Sequence, residues 1–256
     1  MQKEGWANFA PLEAVTTPPA ARLVNFASVQ SGQRLLDVGC GTGVVAITAA
    51  RKGADVSGLD LTPQLLQRAR ENAATAGVQV DWHEGDAEQL PFEDAAFDVV
   101  LSHFAHIFAP RPEVVTAQML RVLKRGGTIA FSTWPPQELV GRTMAVASRY
   151  SPPPPPGIAP RLLRGASDIV RQRLGSAVRD IAFDTHSMLS PALSPQHFRA
   201  NIELTAGPIH KLIDRLSATN PDALQKFRRE FDAIVGEYLR DNIVQQNYLL
   251  TRAVNC

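Results

Sequence analysis

Three acidic residues follow short apolar segments at similar intervals, and each could contact a small molecule. Asp37 follows Leu35-Leu36, Asp60 ends a second apolar segment, and Asp86 follows a third. In open α/β sheets, ligands bind at the carboxyl ends of the parallel strands. A carboxylate at the first position favours a ligand that carries an ammonium or sulfonium charge. Carboxylates at the other two positions can accept hydrogen bonds from ribose hydroxyls and from an adenine amino group.

A glycine-rich turn lies between Asp37 and the helix that is predicted to follow. Gly39, Gly41 and Gly43 alternate with larger residues, of which Cys40 is the first. Because glycine has no Cβ, a ligand can lie directly against this backbone. Dinucleotide-binding turns usually place the third glycine three positions after the second, and Asp37 would repel a pyrophosphate. A nicotinamide-dependent oxidoreductase is therefore the weaker alternative.

Two of the carboxylates also have a purely structural explanation. Asp37 could satisfy the amides of its own loop, and Asp60 could cap the helix that begins near Thr62. Neither explanation accounts for Asp86, whose neighbour Ala87 offers a backbone N–H to a ring nitrogen. Together the three positions predict recognition of a ribose and an adenine without a phosphate.

The elements that would position these residues alternate between strands and helices. This alternation predicts an α/β fold with a doubly wound, mostly parallel sheet and right-handed crossovers. Thr62 as an N-cap, followed by Pro63, marks the start of one helix. The predicted strands are residues 35–37, 54–60, 78–83, 97–102, 128–133, 177–187 and 247–254. The predicted helices are residues 42–52, 63–76, 112–123, 137–149, 194–204 and 220–239.

The alternation stops after residue 134, where two other features appear. The five consecutive prolines from Pro152 to Pro156 exclude a helix or a central strand. They predict a stiff connection, with a partner-binding polyproline segment as the alternative. Residues 190–244 are mostly helical between two predicted strands, which indicates a helical cap.

Composition excludes several classes of function. The chain of 256 residues has 26 basic and 25 acidic residues without a long block of either sign, so we expect no nucleic-acid partner. The two cysteines lie far apart, which predicts neither a disulfide framework nor a cysteine metal site, and no metal site is expected. No apolar run reaches the length of a membrane span, and no signal peptide is evident. We therefore expect a soluble, cytoplasmic protein.

In the order and spacing of its motifs, the chain resembles the class I S-adenosylmethionine-dependent methyltransferases of the small-molecule type, the methyltransferase type 11 group. The resemblance implies a Rossmann-like, seven-stranded sheet in a single domain over residues 1–256. It also implies lid helices at about 1–30, a cofactor-binding core at about 31–150, and a cap at about 190–244. The matching motifs are residues 35–43, 58–60, 85–92, 97–100 and 122–127.

The same resemblance assigns site residues to the parts of S-adenosylmethionine, whose product is S-adenosylhomocysteine. The cofactor would be held by Asp37, Gly39, Cys40 and Gly41 near the methionine part, by Asp60 and Leu61 near the ribose, by Asp86 and Ala87 at the adenine, and by Ser102 or His103 near the sulfonium. The aromatic residues Trp6 and Phe9 would belong to the lid.

Two histidines follow the fourth predicted strand, at the edge where donor and acceptor would meet. His103 and His106 are the candidate bases, because imidazole suits proton removal near neutral pH; the alternative is that both only line the pocket. The partner implied is a small, apolar methyl acceptor that reacts at oxygen, nitrogen or carbon, and a homodimer is left open. A member of the fold that binds the cofactor without turnover is the alternative function.

Overall fold

A computed structural model describes residues 6–152 and 165–256 of the chain, so the five-proline segment lies outside the described residues from Pro153 onward. The strands are β1 (Arg34–Val38), β2 (Asp55–Asp60), β3 (Asp81–Glu84), β4 (Phe97–His103), β5 (Leu123–Thr133), β6 (Val178–Pro191), β7 (Leu239–Arg240) and β8 (Ile243–Asn255). The α-helices are α1 (Glu13–Phe26), α2 (Val44–Ala50), α3 (Pro63–Ala76), α4 (Pro112–Val122), α5 (Leu139–Arg149), α6 (Ser167–Leu174), α7 (Pro195–Thr205), α8 (Gly207–Thr219) and α9 (Pro221–Tyr238).

One mixed sheet organises the molecule, with strand order β3-β2-β1-β4-β5-β8-β6 and the short β7 paired to β8. The first five strands are parallel, and Leu36 of β1 is in register with Ser57 of β2 and Val100 of β4. Strand β8 runs antiparallel to β5 and β6. The predicted Rossmann-like, mostly parallel sheet is confirmed, with the two-residue β7 added to the seven expected strands.

The sheet is covered on both faces, because alternate residues of each strand point to opposite sides. Val99 and Leu101 of β4 belong to an apolar cluster with residues of α1 and α2. Val100 belongs to a second cluster, which includes residues of α4 and α6. Strand β1 is buried along four of its five residues, as expected for a central parallel strand. Its carboxyl end, which carries Asp37, is therefore held rigidly at the middle of one sheet edge.

Three helices between β6 and β8, namely α7, α8 and α9, form a third apolar cluster together with Leu139 and Val146 of α5 and Val244 of β8. An ion-pair network joins α7 to α9: Glu203 accepts hydrogen bonds from Arg199 at 2.6 Å and from Arg228 at 2.7 Å. Burial alone would raise the pKa of Glu203, but the two guanidinium groups outweigh it and lower that pKa.

Several element boundaries predicted from the sequence are wrong. The third strand begins at Asp81 rather than at residue 78, and the last strand begins at Ile243 rather than at residue 247. The pairing of β6 with β8 extends to Pro191 opposite Ile243, which a period-two pattern in either strand alone does not reveal. Helices α6 and α8 were not predicted; Gly207-Pro208 begins α8 directly after α7.

Candidate functional site

The glycine turn is held against β2 by its own backbone. The N–H groups of Gly39 and Cys40 both donate to the carbonyl oxygen of Leu59, at 2.7 and 3.0 Å. Gly39, Gly41 and Gly43 have φ values of 70°, 55° and 85°, a region that favours glycine. The turn therefore has a fixed shape before any ligand binds.

The glycines of the turn differ in what surrounds them. A Cβ on Gly39 would lie 2.3 Å from the Cβ of Ala105, and one on Gly43 would lie 2.7 Å from the ring of Trp82. Among the described residues, nothing lies within 4 Å of a Cβ built on Gly41. Gly39 and Gly43 thus serve packing, whereas Gly41 faces open space that a ligand can fill. Phe104, at φ 58°, turns the chain after β4 so that Ala105 reaches Gly39.

Asp37 is almost completely buried at the end of β1, with 1 % of its surface exposed. Its Oδ2 accepts a hydrogen bond from the N–H of Ala46 at 3.1 Å, which is the structural contact that the sequence left open. Its Oδ1 is buried and has no hydrogen-bond partner among the described residues. Burial raises the pKa of Asp37 to about 7, the Ala46 contact opposes this shift, and the nearby Asp60 adds to it.

Asp60 closes the other side of the turn. Its Oδ2 accepts from the N–H of Gly41 at 2.9 Å, and its Oδ1 accepts from the N–H of Thr62 at 2.8 Å. The second contact holds the residue directly before α3 and does not cap a free N–H of that helix. Burial raises the pKa of Asp60, and these backbone donors oppose the shift. The N–H of Leu61 and the hydroxyl of Thr62 also contact this carboxylate, and contact of Asp60 and Leu61 with the ribose stays a prediction.

The predicted adenine residues lie on the loop after β3. The side chain of Asp86 is exposed and its Oδ1 accepts from the N–H of Glu88 at 2.9 Å. Ala87 is half-buried and packs against the second apolar cluster. The N–H of Gly85 donates to the carbonyl of Asp60 at 3.0 Å. A backbone hydrogen bond therefore joins the residues predicted to hold the ribose and the adenine.

Ser102 and Cys40 contribute structural contacts. The hydroxyl of Ser102 is fully buried; it donates to the carbonyl of Val38 at 2.8 Å and accepts from the N–H of His106 at 3.2 Å. These bonds tie β4 to β1, and contact of Ser102 with the cofactor stays a prediction. The Cys40 thiol is buried, and burial together with Asp60 and Asp37 raises its pKa. The thiol is therefore protonated at neutral pH.

The two candidate bases occupy different places. His103 lines a cleft at the glycine turn, and its Nδ1 lies 2.8 Å from the hydroxyl of Ser132. Burial lowers the pKa of His103 to about 3, and a contact with the backbone of Thr16 opposes only part of that shift. The ring of His106 instead packs edge-on against Phe131 with centroids 4.6 Å apart, in the layer on the other face of the sheet. The structure thus brings His103 to the cleft and does not bring His106 there.

The cleft itself lies between the glycine turn and the N-terminal segment, which here means residues 6–26. Phe9 and Thr16 of that segment line it opposite the turn. Its lining residues are Phe9, Thr16, Asp37, Gly39, Cys40, Gly41, Thr42, Val44, Val45, His103 and Phe104.

Some residues of the site carry no signal in the sequence. Ser132, which contacts His103, is an ordinary residue of a buried strand, and Thr16 is an ordinary residue of a helix; no local pattern marks either. Trp134, directly after β5, stacks on Phe104 at 4.0 Å between centroids and is 8 % exposed. It is therefore part of the core.

Comparison with known proteins supports the geometry. A family model described as a methyltransferase domain matches residues 35–127. An uncharacterized protein of Mycobacterium tuberculosis is 34 % identical over 245 residues, which cover 95 % of this chain and 89 % of that protein. A ubiquinone biosynthesis O-methyltransferase of Idiomarina loihiensis is 37 % identical over 131 residues, 49 % of this chain and 52 % of that protein. The YcgJ protein of Bacillus subtilis has a similar structure, with a TM-score of 0.63, 16 % identity and coverage of 93 % of this chain and 98 % of that one.

The chain belongs to the class I S-adenosylmethionine-dependent methyltransferases. It is an enzyme of that class, and its cofactor is S-adenosylmethionine. No group of three or more potential metal ligands occurs among the described residues. None of the helices in the described ranges is long and apolar enough to cross a membrane.

The site fits this cofactor. Asp37 offers a buried carboxylate oxygen with no partner in the described part of the chain, and a cation is the group that such an oxygen needs. Gly41 leaves open space beside it. Asp60 and Asp86 would hold the ribose and the adenine at the next two strand ends.

Proposed function

We propose that this enzyme transfers the methyl group of S-adenosylmethionine to a small, largely apolar and uncharged metabolite. One observation carries the proposal: among the described residues that line the cleft, Asp37 is the only carboxylate, none is a lysine or an arginine, and the other titratable groups are His103 and the buried thiol of Cys40. Because Asp37 belongs to the cofactor side, an anionic acceptor would find no lysine or arginine to pair with. An isolated charge is costly to bury in such surroundings.

The lining beyond the glycine turn suits an apolar molecule with one reactive polar atom. Phe9 and Phe104 offer aromatic surface, and Thr16 and His103 offer the polar groups. Aromatic rings contribute a large contact area and prefer stacked or edge-on neighbours. This composition favours an aromatic or otherwise flat acceptor over a sugar or a phosphate.

When bound, S-adenosylmethionine supplies a methyl group on a sulfonium, which is already a good leaving group. The protein then has to align the acceptor and exclude water. We assign the hydrogen bond from the acceptor's hydroxyl or amine to His103 rather than His106, because only the former lines the cleft. Its low pKa keeps the imidazole neutral at physiological pH, so a lone pair is present to accept a hydrogen bond from a hydroxyl or an amine.

The proposal covers oxygen, nitrogen and carbon acceptors. The relative from Idiomarina loihiensis is named as an O-methyltransferase, so hydroxylated compounds are the first to test. The proposal does not include a nucleic-acid or protein acceptor, because nothing in the cleft lining would bind a phosphate backbone.

The test is a transfer assay with methyl-labelled S-adenosylmethionine and a matched set of flat aromatic acceptors. Each scaffold is offered in a neutral form with a hydroxyl or amine and in a form that also carries a carboxylate or a phosphate. We expect label transfer to neutral members only. Transfer mainly to the anionic members, or to RNA or protein but to no small molecule, would refute the proposed acceptor class.

A further inference from the structure

A single amide side chain connects the N-terminal segment to the glycine turn. The Nδ2 of Asn72, on α3, donates to Oε2 of Glu13 at 2.7 Å and to the carbonyl of Thr42 at 3.0 Å. Glu13 is the first residue of α1, and Thr42 is a buried residue of the turn that lines the cleft. One nitrogen with two hydrogens thus serves both sides of the cofactor cleft.

The orientation of this amide follows from its partners. Both partners are acceptors, so only the nitrogen of the Asn72 amide can face them. Arg68, one turn earlier on α3, adds a second contact to the same oxygen of Glu13, with its Nε at 3.4 Å. The Glu13 side chain is only 23 % exposed. Its carboxylate also suits the N-terminus of α1, where the helix dipole favours a negative charge.

The rest of α3 also packs closely on the turn. Ala69 lies one turn before Ala73 on the buried face of the helix. A Cβ built on Gly43 would lie 3.2 Å from the Cβ of Ala69, so the helix approaches the turn through a small residue. Asn72 lies at position i+3 from Ala69, where residues share a face. Its bond to Thr42 therefore belongs to a rigid contact between α3 and the turn.

The N-terminal segment depends on the same contact. Thr16, which lines the cleft, follows Glu13 by three residues on α1 and so lies on the same side of that helix. Phe9, the other cleft residue of the segment, precedes Glu13 through the short 3-10 helix Ala10–Leu12. Fixing Glu13 on α3 therefore fixes both of the residues that cover the cleft from this side.

We propose that Asn72 is a positioning residue for cofactor binding, and that it holds the N-terminal segment closed over the cofactor by joining Glu13 to the carbonyl of Thr42. The residue touches neither the acceptor nor the reacting atoms. Its role is to couple the cover of the cleft to the conformation of the turn. The proposal rests on the cofactor alone and is independent of the acceptor that the enzyme uses.

The consequence is kinetic. Bound cofactor leaves the cleft only when the segment opens, so weakening the Glu13 contact speeds dissociation although Glu13 is not part of the turn. A structural role confined to docking α1 on α3 would lower stability without changing cofactor release. The two roles are therefore distinguished by the dissociation rate of S-adenosylhomocysteine, measured by chasing the labelled compound with excess unlabelled compound.

Three variants make the test. Asn72→Ala removes both bonds, and Glu13→Ala removes only the contact with the N-terminal segment. Gln67→Ala is the matched control, because Gln67 is exposed on the same helix and its amide contacts Glu71 at 3.1 Å. We expect Glu13→Ala to raise the dissociation rate about fivefold and Asn72→Ala at least about tenfold, in line with the loss of one and two hydrogen bonds. The control is expected to stay within twofold of the parent.

Hydrogen exchange in the complex with S-adenosylhomocysteine gives the second readout. In Asn72→Ala we expect faster exchange in residues 10–20 and in the turn, whereas in Glu13→Ala the change is confined to residues 10–20. The proposal is overturned if both variants release S-adenosylhomocysteine at the rate of the Gln67→Ala control, even where their thermal stability falls. If Asn72→Ala does not fold, Glu13→Ala against the control decides alone.

Discussion

Replacing Asp37 by asparagine is expected to make the free protein more stable at slightly alkaline pH while it weakens cofactor binding. The pKa of this carboxyl is raised by burial from 3.8 to about 7. Between these values the native protein keeps a proton that the unfolded chain has lost, so stability is fully present below pH 4 and falls as pH rises towards 7. Over the whole window the loss amounts to about 4 kcal/mol.

His103 changes the free energy of unfolding with pH in the opposite direction. Burial lowers its pKa from 6.5 to about 3, so below pH 6.5 the unfolded chain binds a proton that the native protein does not. Stability then rises with pH between about 3 and 6.5, by roughly 5 kcal/mol in total. Between pH 4 and 6.5 the contributions of these two groups to the free energy of unfolding nearly cancel.

Asp37→Asn removes one of these two opposing contributions to the pH dependence of the free energy of unfolding. The amide oxygen can still accept from the N–H of Ala46, but the amide nitrogen takes the position of Oδ1, which has no hydrogen-bond partner among the described residues. An unsatisfied buried donor costs about 1 to 3 kcal/mol at every pH. At pH 7.5 the substitution removes the cost of about 4 kcal/mol for ionising the buried Asp37, which exceeds this penalty. We therefore expect the free energy of unfolding to rise by about 1 to 3 kcal/mol.

The measurement is urea unfolding of parent and variant between pH 4 and 8, at fixed ionic strength and without cofactor. The variant is expected to be less stable than the parent at pH 4 and more stable at pH 7.5, so that the two curves cross. Calorimetry at pH 7.5 is expected to show S-adenosylhomocysteine binding at least about tenfold weaker, since the ammonium group loses its charged partner. Equal destabilisation at both pH values would refute the argument that Asp37 is costly when ionised.

Three further outcomes are expected. Asp60→Ala removes an acceptor that also holds the turn, and should weaken S-adenosylhomocysteine binding by about 1 to 3 kcal/mol; unchanged affinity in calorimetry would exclude the ribose assignment. His103→Gln should lower turnover at least about tenfold with little effect on cofactor affinity. His106→Ala should lower stability through lost packing and leave turnover within about threefold. A larger loss of turnover in His106→Ala than in His103→Gln would restore His106 as the base. Gly41→Ala should abolish cofactor binding, because the added Cβ fills the open space at the turn. Gly32→Ala is the control for backbone strain alone, since Gly32 has φ 80° and open surroundings. Similar losses of cofactor binding in both variants would contradict a contact at Gly41.

The sequence predicts the cofactor half of this fold well because its signals are local. Thr62, Pro63 and Gly77 enclose a helix with regular apolar spacing, and the structure places α3 at Pro63–Ala76 with Gly77 as a left-handed C-cap. The glycine turn follows β1, and Asp60 ends β2; both of these strands are largely buried. These features need no knowledge of distant parts of the chain.

Other parts of the site depend on contacts between residues far apart in the sequence. Ser132 meets His103 across two neighbouring strands, and Asn72 meets Glu13 across 59 positions. His103 and His106 look equivalent in the sequence, but the turn at Phe104 directs them to different layers. No periodic pattern encodes such pairings, since each partner has an ordinary local environment.

A crystal structure of the complex with S-adenosylhomocysteine tests the central claim most directly. We expect the ribose hydroxyls at Asp60, the adenine at Asp86 and Ala87, the amino group within hydrogen-bond distance of Asp37, and the sulfur facing His103. An S-adenosylhomocysteine molecule bound with its amino group away from Asp37, or with its sulfur directed away from His103, would contradict the account.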